Sequence, residues 1–140
     1  MKYLISISIG ILVGLLAMVI SEYSVLALFP LANQSDILDI TSLSENMESM
    51  PLQNLILILI GYAIAAILAG FIGTKLKTEN LFMTMIAIGV SLTIIGCFYL
   101  LMIPYPLWMI IAGSVIFIPM TWLGSKIYKA RHDDKLIYKF

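Results

Sequence analysis

One acidic residue lies inside a hydrophobic stretch and is the strongest candidate for chemistry in this chain. Glu22 interrupts residues 3–29, which from Tyr3 onward carry no other charge. A carboxylate at that depth in a bilayer is costly unless it is protonated, paired, hydrogen-bonded or in contact with water. No Lys, Arg or His lies at a matching depth in the other hydrophobic stretches. Three roles follow: a structural hydrogen-bonding hub, a site linking protons or cations to transport, or the partner of a cation from another subunit.

The other hydrophobic stretches offer hydroxyl groups at a depth similar to that of Glu22. Counting inward from each outer end leads to Tyr62, Tyr99 and Ser114, and glycines lie close to all three in sequence. Hydroxyl groups that hydrogen-bond to a buried carboxylate would offset its loss of water. We therefore predict a polar intramembrane site formed by Glu22, Tyr62, Tyr99 and Ser114.

The residue types that usually carry catalysis or bind metals are sparse. The single cysteine, Cys97, cannot form an internal disulfide, and the sequence contains no CxxC motif. The single histidine, His132, lies beside Asp133 and Asp134 in the charged C-terminal tail, with no second cluster of metal ligands. We predict no catalytic residue, no metal and no cofactor, and we expect that the chain is not an enzyme.

The composition indicates where these residues must be held. Of 140 residues, 61% are hydrophobic and 11% charged, against roughly 45–50% and about 25% in soluble domains. The mean hydropathy is +1.05, and a soluble fold of this size could not bury that much apolar surface. The net charge is zero, which gives nucleic acid no electrostatic surface to bind. The sequence predicts an integral membrane protein whose first partner is the lipid bilayer.

Four hydrophobic stretches are long enough to cross a bilayer as helices, which takes about 20 residues each. The alternating segments of about ten residues that are typical of membrane β-barrels are absent from the sequence. We predict an all-α fold, a four-helix bundle in a single membrane domain. The predicted spans are residues 3–29, 52–74, 81–103 and 107–127, with a loop at 30–51 and a tail at 128–140.

The first span could instead be a cleaved signal peptide, since Lys2 provides a positive start. The charge-free run from Tyr3 to Ser21 is longer than the usual apolar region of about 7–15 residues. We therefore interpret the first span as retained.

Charge is divided between the two sides of the predicted bundle. The basic residues lie at the N-terminus, in the turn after the second span and from Lys126 onward, whereas loop 30–51 contains four acids and no Lys or Arg. By the positive-inside rule both termini are cytoplasmic and this loop faces outward. In the same loop, apolar residues spaced as on one helical face predict a short amphipathic helix on the outer surface: Ile37, Ile40, Leu43, Met47 and Met50.

Small residues recur along the first two spans, and in lipid such residues mark where helices approach closely. The predicted helix-packing positions are Gly10, Gly14, Gly61, Ala65, Ala69 and Gly73. In the first span the complete row is Ser6, Gly10, Gly14, Ala17, Ser21 and Ser24. At about 100° per residue, Glu22 lies roughly 130° around the helix from the centre of that row. The row therefore does not predict the direction of Glu22.

The second span carries a further row of small residues, Ala66 and Gly70, beside the row that begins at Gly61. Two rows exceed what one neighbouring helix requires, so we expect one of these seams to face a membrane-protein partner or a second copy of the chain. Aromatic residues near the span ends are typical of anchors at the membrane interface. They are Tyr105 and Trp108 at the outer side and Trp122, Tyr128 and Tyr138 at the inner side.

Several features together resemble a group of small bacterial four-helix membrane proteins to which no activity is assigned. They are the Gly10/Gly14 span with Glu22 near its end, the Met50-Pro51 pair before a Gly/Ala-rich span, and the Pro-Tyr-Pro corner at 104–106. The resemblance implies a multi-pass protein of the bacterial cytoplasmic (inner) membrane and supplies no activity.

Small multidrug transporters also have four helices and a functional glutamate in the first, but their loops are short and their acid is more central than Glu22. We therefore expect a non-catalytic accessory or scaffolding subunit of a membrane complex or homo-oligomer. The alternative is a small transporter or channel that uses Glu22 as a proton- or cation-linked site.

Overall fold

The structure, a computed structural model, describes residues 2–28, 50–76, 81–103 and 105–137. Within these residues it is all-helical, with four helices that are each long and apolar enough to cross a membrane, as the sequence predicted. The helices are α1 (Lys2–Leu28), α2 (Leu52–Lys75), α3 (Leu81–Met102) and α4 (Leu107–Ile137). The helix predicted in loop 30–51 falls on residues outside those described, apart from Met50.

Prolines define two of the helix starts. The carbonyl of Pro51 accepts hydrogen bonds from the backbone N–H groups of Asn54 and Leu55, and the carbonyl of Pro106 accepts the corresponding bonds at the start of α4. A proline suits such a position because its fixed φ matches a helix start and the first N–H groups of a helix have no internal acceptor. Between α3 and α4 the N–H of Tyr105 donates to the carbonyl of Ile103 at 2.7 Å. This bond ties the start of the described segment at Tyr105 to the end of α3.

Helix α2 is the central element of the bundle. It packs against each of the other three helices, most extensively against α1 and α4, while α3 packs against α4 and touches α1. Within the described residues α1 and α4 make no direct contact. The first half of α2 buries larger side chains and the second half buries small residues and a threonine: Asn54, Leu55, Ile58 and Tyr62, followed by Ala65, Ala66, Ala69, Gly70, Gly73 and Thr74.

The two small-residue rows of α2 contact two different helices of the same chain. The first row faces α1: a methyl group added at Gly10 would lie 3.2 Å from the carbonyl oxygen of Ala69, and one added at Gly14 would lie 3.0 Å from the Cβ of Ala69. The second row faces α4, because a methyl group at Gly70 would overlap the carbonyl of Thr121. Both rows are thus occupied within the chain, and neither of them requires a partner.

The buried face of α1 differs from the row of small residues in its sequence. It runs through Ser6, Gly10, Gly14, Met18 and Glu22, in steps of four residues. Positions four apart form a ridge that is inclined to the helix axis, and two helices that cross at an angle pack along such ridges. The contact face consequently rotates along α1, which leaves Ser24 exposed and turns Glu22 into the bundle.

Helix α4 continues beyond the span predicted to end at residue 127. It reaches Ile137, ten residues past the end of that hydrophobic stretch. Residues 128–137 contain neither proline nor glycine, so nothing in the local sequence ends the helix where the hydrophobic stretch ends.

Candidate functional site

Glu22 is the centre of a polar cluster formed with three tyrosines, and we call Glu22, Tyr62, Tyr99 and Tyr105 the Glu22 cluster. The Tyr99 hydroxyl donates to Oε2 of Glu22 at 2.7 Å, and the Tyr105 hydroxyl donates to Oε1 at 2.7 Å. The Tyr62 hydroxyl also donates to Oε2, over a longer 3.3 Å. Both carboxylate oxygens therefore have phenol partners, and Glu22 is only 5% exposed.

The three tyrosines come from three different parts of the fold. Tyr62 lies in the middle of α2, Tyr99 in the last turn of α3, and Tyr105 at the corner between α3 and α4. Since Glu22 itself belongs to α1, one carboxylate links α1 to α2, to α3 and to the corner that starts α4. The cluster therefore ties the four helices together on the side of the bundle where α3 ends and α4 begins.

No described basic side chain neutralises this carboxylate. Lys75 lies at the last residue of α2, 13 residues beyond Tyr62, which is about 20 Å along a helix. The other basic side chains that the structure describes are Lys126, Lys129 and Arg131, in the C-terminal half of α4. The stabilisation of Glu22 by described residues therefore comes from hydrogen bonds, and a buried polar group left without one costs about 1–3 kcal/mol.

The lengths of the bonds separate strong donors from a weak one. Hydroxyl bonds to a carboxylate typically span roughly 2.5–2.7 Å, which matches Tyr99 and Tyr105 but not Tyr62. Burial, and after it the neighbouring Glu22 carboxylate, raises the pKa of the Tyr105 phenol far above its usual value. The Tyr105 hydroxyl therefore keeps its proton and remains a donor. Tyr62 is also held by its ring, which stacks on Phe117 with centroids 6.2 Å apart.

The structure brings together three of the four residues predicted for the polar site. Tyr62 and Tyr99 both hydrogen-bond to Glu22. Ser114 does not, because its hydroxyl donates to the carbonyl of Ile110, one turn earlier in α4, at 2.7 Å. A serine inside a helix commonly satisfies its hydroxyl in this way, so matching depth alone did not place Ser114 in the site.

Tyr105 hydrogen-bonds to Glu22, whereas the sequence predicts Ser114 in that role. We expected an interfacial anchor, but Tyr105 is 5% exposed and its hydroxyl contacts Glu22. The signal that could have identified it is the pair of prolines on either side, because they confine the backbone at the corner. Trp108 and Trp122 are exposed as an anchor would be. The Tyr128 ring meets Phe71 edge-on, with centroids 5.5 Å apart.

A second buried polar group lies toward the opposite end of α2, and we call Gly70, Thr74, Thr121 and Ser125 the hydroxyl cluster. The Thr74 hydroxyl donates to the Ser125 hydroxyl oxygen at 2.9 Å. The Ser125 hydroxyl lies 3.1 Å from the Thr121 carbonyl oxygen and 3.3 Å from that of Gly70. It joins α2 to α4 at the place where Gly70 lets the backbones approach.

The row on α1 ends near this cluster, where the Ser6 hydroxyl donates to the Gly73 carbonyl of α2. Among the described residues, no buried side-chain nitrogen or oxygen atom lacks a hydrogen-bond partner. Cys97 is a free, half-buried thiol. It takes part in none of the hydrogen bonds that form the two clusters. The side-chain hydrogen bonds of these groups therefore either join two helices or connect a hydroxyl to a carbonyl of its own helix.

Comparison of the chain with protein-family models, with curated proteins and with solved structures finds no match in any of the three. The resemblance to small bacterial four-helix membrane proteins therefore stays a prediction from the sequence.

Proposed function

We propose that the chain is a non-catalytic accessory or scaffolding subunit of a bacterial inner-membrane complex or homo-oligomer, with both termini in the cytoplasm. The observation that carries this proposal is that both side-chain oxygens of Glu22 are hydrogen-bonded within the fold. Its two carboxylate oxygens accept three phenol hydrogen bonds from three other parts of the fold. The group best suited to chemistry is thereby committed to holding the helices together.

The surface available to a partner is the outward one, since the small-residue rows of α2 are occupied within the chain. Helix α1 contacts only α2 and α3 among the described elements, and its outward side carries large apolar residues. A membrane-protein partner would replace lipid there through side-chain packing, the interaction that associates helices in a bilayer.

The subunit proposal is tested by extracting the protein from native membranes at its natural level in polymer nanodiscs and weighing the released particle by native mass spectrometry. We expect a fixed stoichiometry with a second copy or with another membrane protein. A particle that contains one copy of the chain and lipid alone would overturn the proposal.

The orientation is tested with a Cys97→Ser background into which single cysteines are placed at Asp39 or at Lys135. A thiol reagent that cannot cross membranes should label position 39 in intact spheroplasts and position 135 only after lysis. The reverse pattern would contradict cytoplasmic termini. The pair is matched because both substitutions replace one charged residue outside the spans.

A second candidate function is a small transporter or channel with Glu22 as its proton- or cation-linked site. The observation that favours it is the position of Tyr99, which is half-buried while its hydroxyl bonds to Glu22. One bonding partner of the carboxylate thus reaches the surface of the bundle, and phenols can pass protons to a carboxylate.

Purified protein in liposomes separates the two candidates. The subunit proposal expects no proton or cation flux above that of empty liposomes. It also expects Glu22→Gln to reduce the amount of folded protein equally at acidic and neutral pH. Flux in the wild type that Glu22→Gln abolishes while Tyr23→Phe leaves it intact would favour transport.

A further inference from the structure

A surface groove lies between α3 and α4 at the end of the bundle opposite the Glu22 cluster. Its volume is about 280 Å³, and it is lined by Phe82, Met85, Trp122, Ser125, Lys126 and Lys129. The lining residues of α4 are spaced by three, one and three positions, so they share one face of that helix. The groove therefore combines an apolar wall from α3 with a wall from α4 that carries two positive charges.

Polarity changes along the groove in the direction of the membrane normal. Lys129 lies two residues beyond residue 127, where the hydrophobic stretch of the sequence ends, and Trp122 lies about 10 Å deeper along the helix. Lys126 is between them, and its Nζ sits 4.6 Å from the centre of the Trp122 ring. This cation–π contact holds an ammonium group over the groove. The charged part of the groove is thus at the membrane surface and the apolar part is within the bilayer.

The two lysines have no described acidic partner. Among the side chains described, in residues 4–28, 50–76, 82–103 and 105–131, the one carboxylate is Glu22, which belongs to the other end of the bundle. Phe82 and Trp122 are exposed, so the apolar part of the groove is open to lipid. An occupant that satisfies both parts must carry a negative charge at the surface and a hydrocarbon chain below it.

We propose that this groove binds an anionic phospholipid, with its phosphate between Lys126 and Lys129 and part of one acyl chain against Phe82, Met85 and Trp122. Basic pockets between transmembrane helices bind acidic lipid headgroups in this way. The volume is just below the roughly 300–1,000 Å³ of small-molecule pockets, which suits a segment of a lipid rather than a whole one.

The test uses the full chain in a mild detergent with phosphatidylglycerol and phosphatidylcholine of identical acyl chains, and counts bound lipids by native mass spectrometry. A lysine near the surface contributes about 1 kcal/mol toward an acidic lipid. We therefore expect the wild type to bind phosphatidylglycerol about 30-fold more tightly than does the variant Lys126→Gln/Lys129→Gln, at 1.4 kcal/mol per factor of ten.

The charge-matched control is Lys75→Gln/Arg131→Gln, which removes two exposed positive charges from the same end of the bundle without touching the groove lining. We expect this control to keep the wild-type preference for phosphatidylglycerol. Equal losses in the two double variants would overturn the proposal, because the preference would then reflect overall charge. Equal binding of the two lipids by the wild type would overturn it as well.

Two further arms test the acyl-chain part. Met85→Trp fills the groove while keeping both lysines, so it should reduce phosphatidylglycerol binding at least tenfold in protein whose helix content is unchanged. Undiminished binding by Met85→Trp would overturn the assignment to this groove. Inorganic phosphate should not displace the lipid at equal concentration. Displacement by phosphate would show a simple anion site and overturn the lipid proposal.

Discussion

The Glu22 cluster and the hydroxyl cluster join helices at two different levels along α2 and by different means. In the Glu22 cluster, long phenol side chains from three parts of the fold converge on one carboxylate. In the hydroxyl cluster, small residues let α2 and α4 approach until hydroxyls reach backbone carbonyls. The first depends on hydrogen bonds to one buried acidic group, which costs about 1–3 kcal/mol when left without a partner. The second depends on backbone proximity, so its polar bonds add little to packing.

This difference predicts that substitutions in the two clusters change the free energy of unfolding for different physical reasons. Removing a hydroxyl should matter at the Glu22 cluster and little at the hydroxyl cluster. Adding volume should be most damaging where α2 and α4 are closest. Four variants, the first of them a double one, test this in order of decreasing expected effect.

The largest effect is expected for Gly70→Ala combined with Gly124→Ala. The added methyl groups would overlap the carbonyls of Thr121 and Ile67, and backbone atoms cannot rotate away. We expect the free energy of unfolding in bicelles to fall by about 3 kcal/mol, because α2 and α4 must separate.

The matched control is Gly89→Ala, where the nearest atom to an added methyl group is the Cα of Ile118 at 3.4 Å. That substitution should change the free energy of unfolding by less than about 0.5 kcal/mol. If the double variant behaves like this control, close approach of α2 and α4 does not stabilise the bundle.

The next largest effect is expected for Tyr105→Phe. It removes the one hydrogen bond to Oε1 of Glu22 that the structure describes and leaves a buried oxygen atom without a described donor. We expect a loss of about 2 kcal/mol in the free energy of unfolding. Tyr23→Phe, which alters an exposed tyrosine beside Glu22, should be neutral under the same conditions. Equal effects of the two substitutions would contradict a role for Tyr105 in the cluster.

Tyr62→Phe should cost less, about 1 kcal/mol. Its hydroxyl is 3.3 Å from Oε2, that oxygen keeps Tyr99 as a donor, and the ring stacking on Phe117 is retained. The same unfolding measurement, repeated in a Glu22→Gln background, gives the coupling between the two residues. If the coupling energy between Tyr62 and Glu22 exceeds that between Tyr105 and Glu22, the bond lengths do not rank the strengths of these two hydrogen bonds.

The smallest effect is expected for Ser125→Ala. Neutral hydrogen bonds between membrane helices contribute about 0.6 kcal/mol on average, and the Thr74 hydroxyl can turn to a carbonyl of its own helix. We expect a comparably small loss of unfolding free energy. A loss as large as that for Tyr105→Phe would show that the two clusters do not differ in the way proposed.

Most of the helical architecture was predictable because it follows from hydrophobic length. Each of the four spans predicted from composition is a helix long and apolar enough to cross a membrane, since only helices or closed barrels satisfy backbone groups in lipid. The end of α4 was not predictable from hydropathy. A helix can continue past the end of its hydrophobic stretch, and this one continues to Ile137.

The site was predictable in part. Depth matching found Tyr62 and Tyr99 because residues at similar distances from the outer ends of their helices lie at similar depths. It included Ser114 wrongly, since a serine can bond within its own helix, and it omitted Tyr105, because depth counting ends where a helix ends. A phenol at a proline-bounded corner can point back into the bundle, and the spacing of residues does not record that direction.

The sequence by itself determined that the chain has four helices long and apolar enough to cross a membrane, because a span needs about 20 apolar residues. It also determined that Glu22 needs partners, because an isolated charge is costly in lipid. The tertiary structure decided which partners it has. The crossing of α1 and α2 moves their contact along a ridge of positions four apart, and this turns Glu22 inward. That crossing, and the corner that aims Tyr105, depend on how the helices pack together, so no single segment of sequence specifies either.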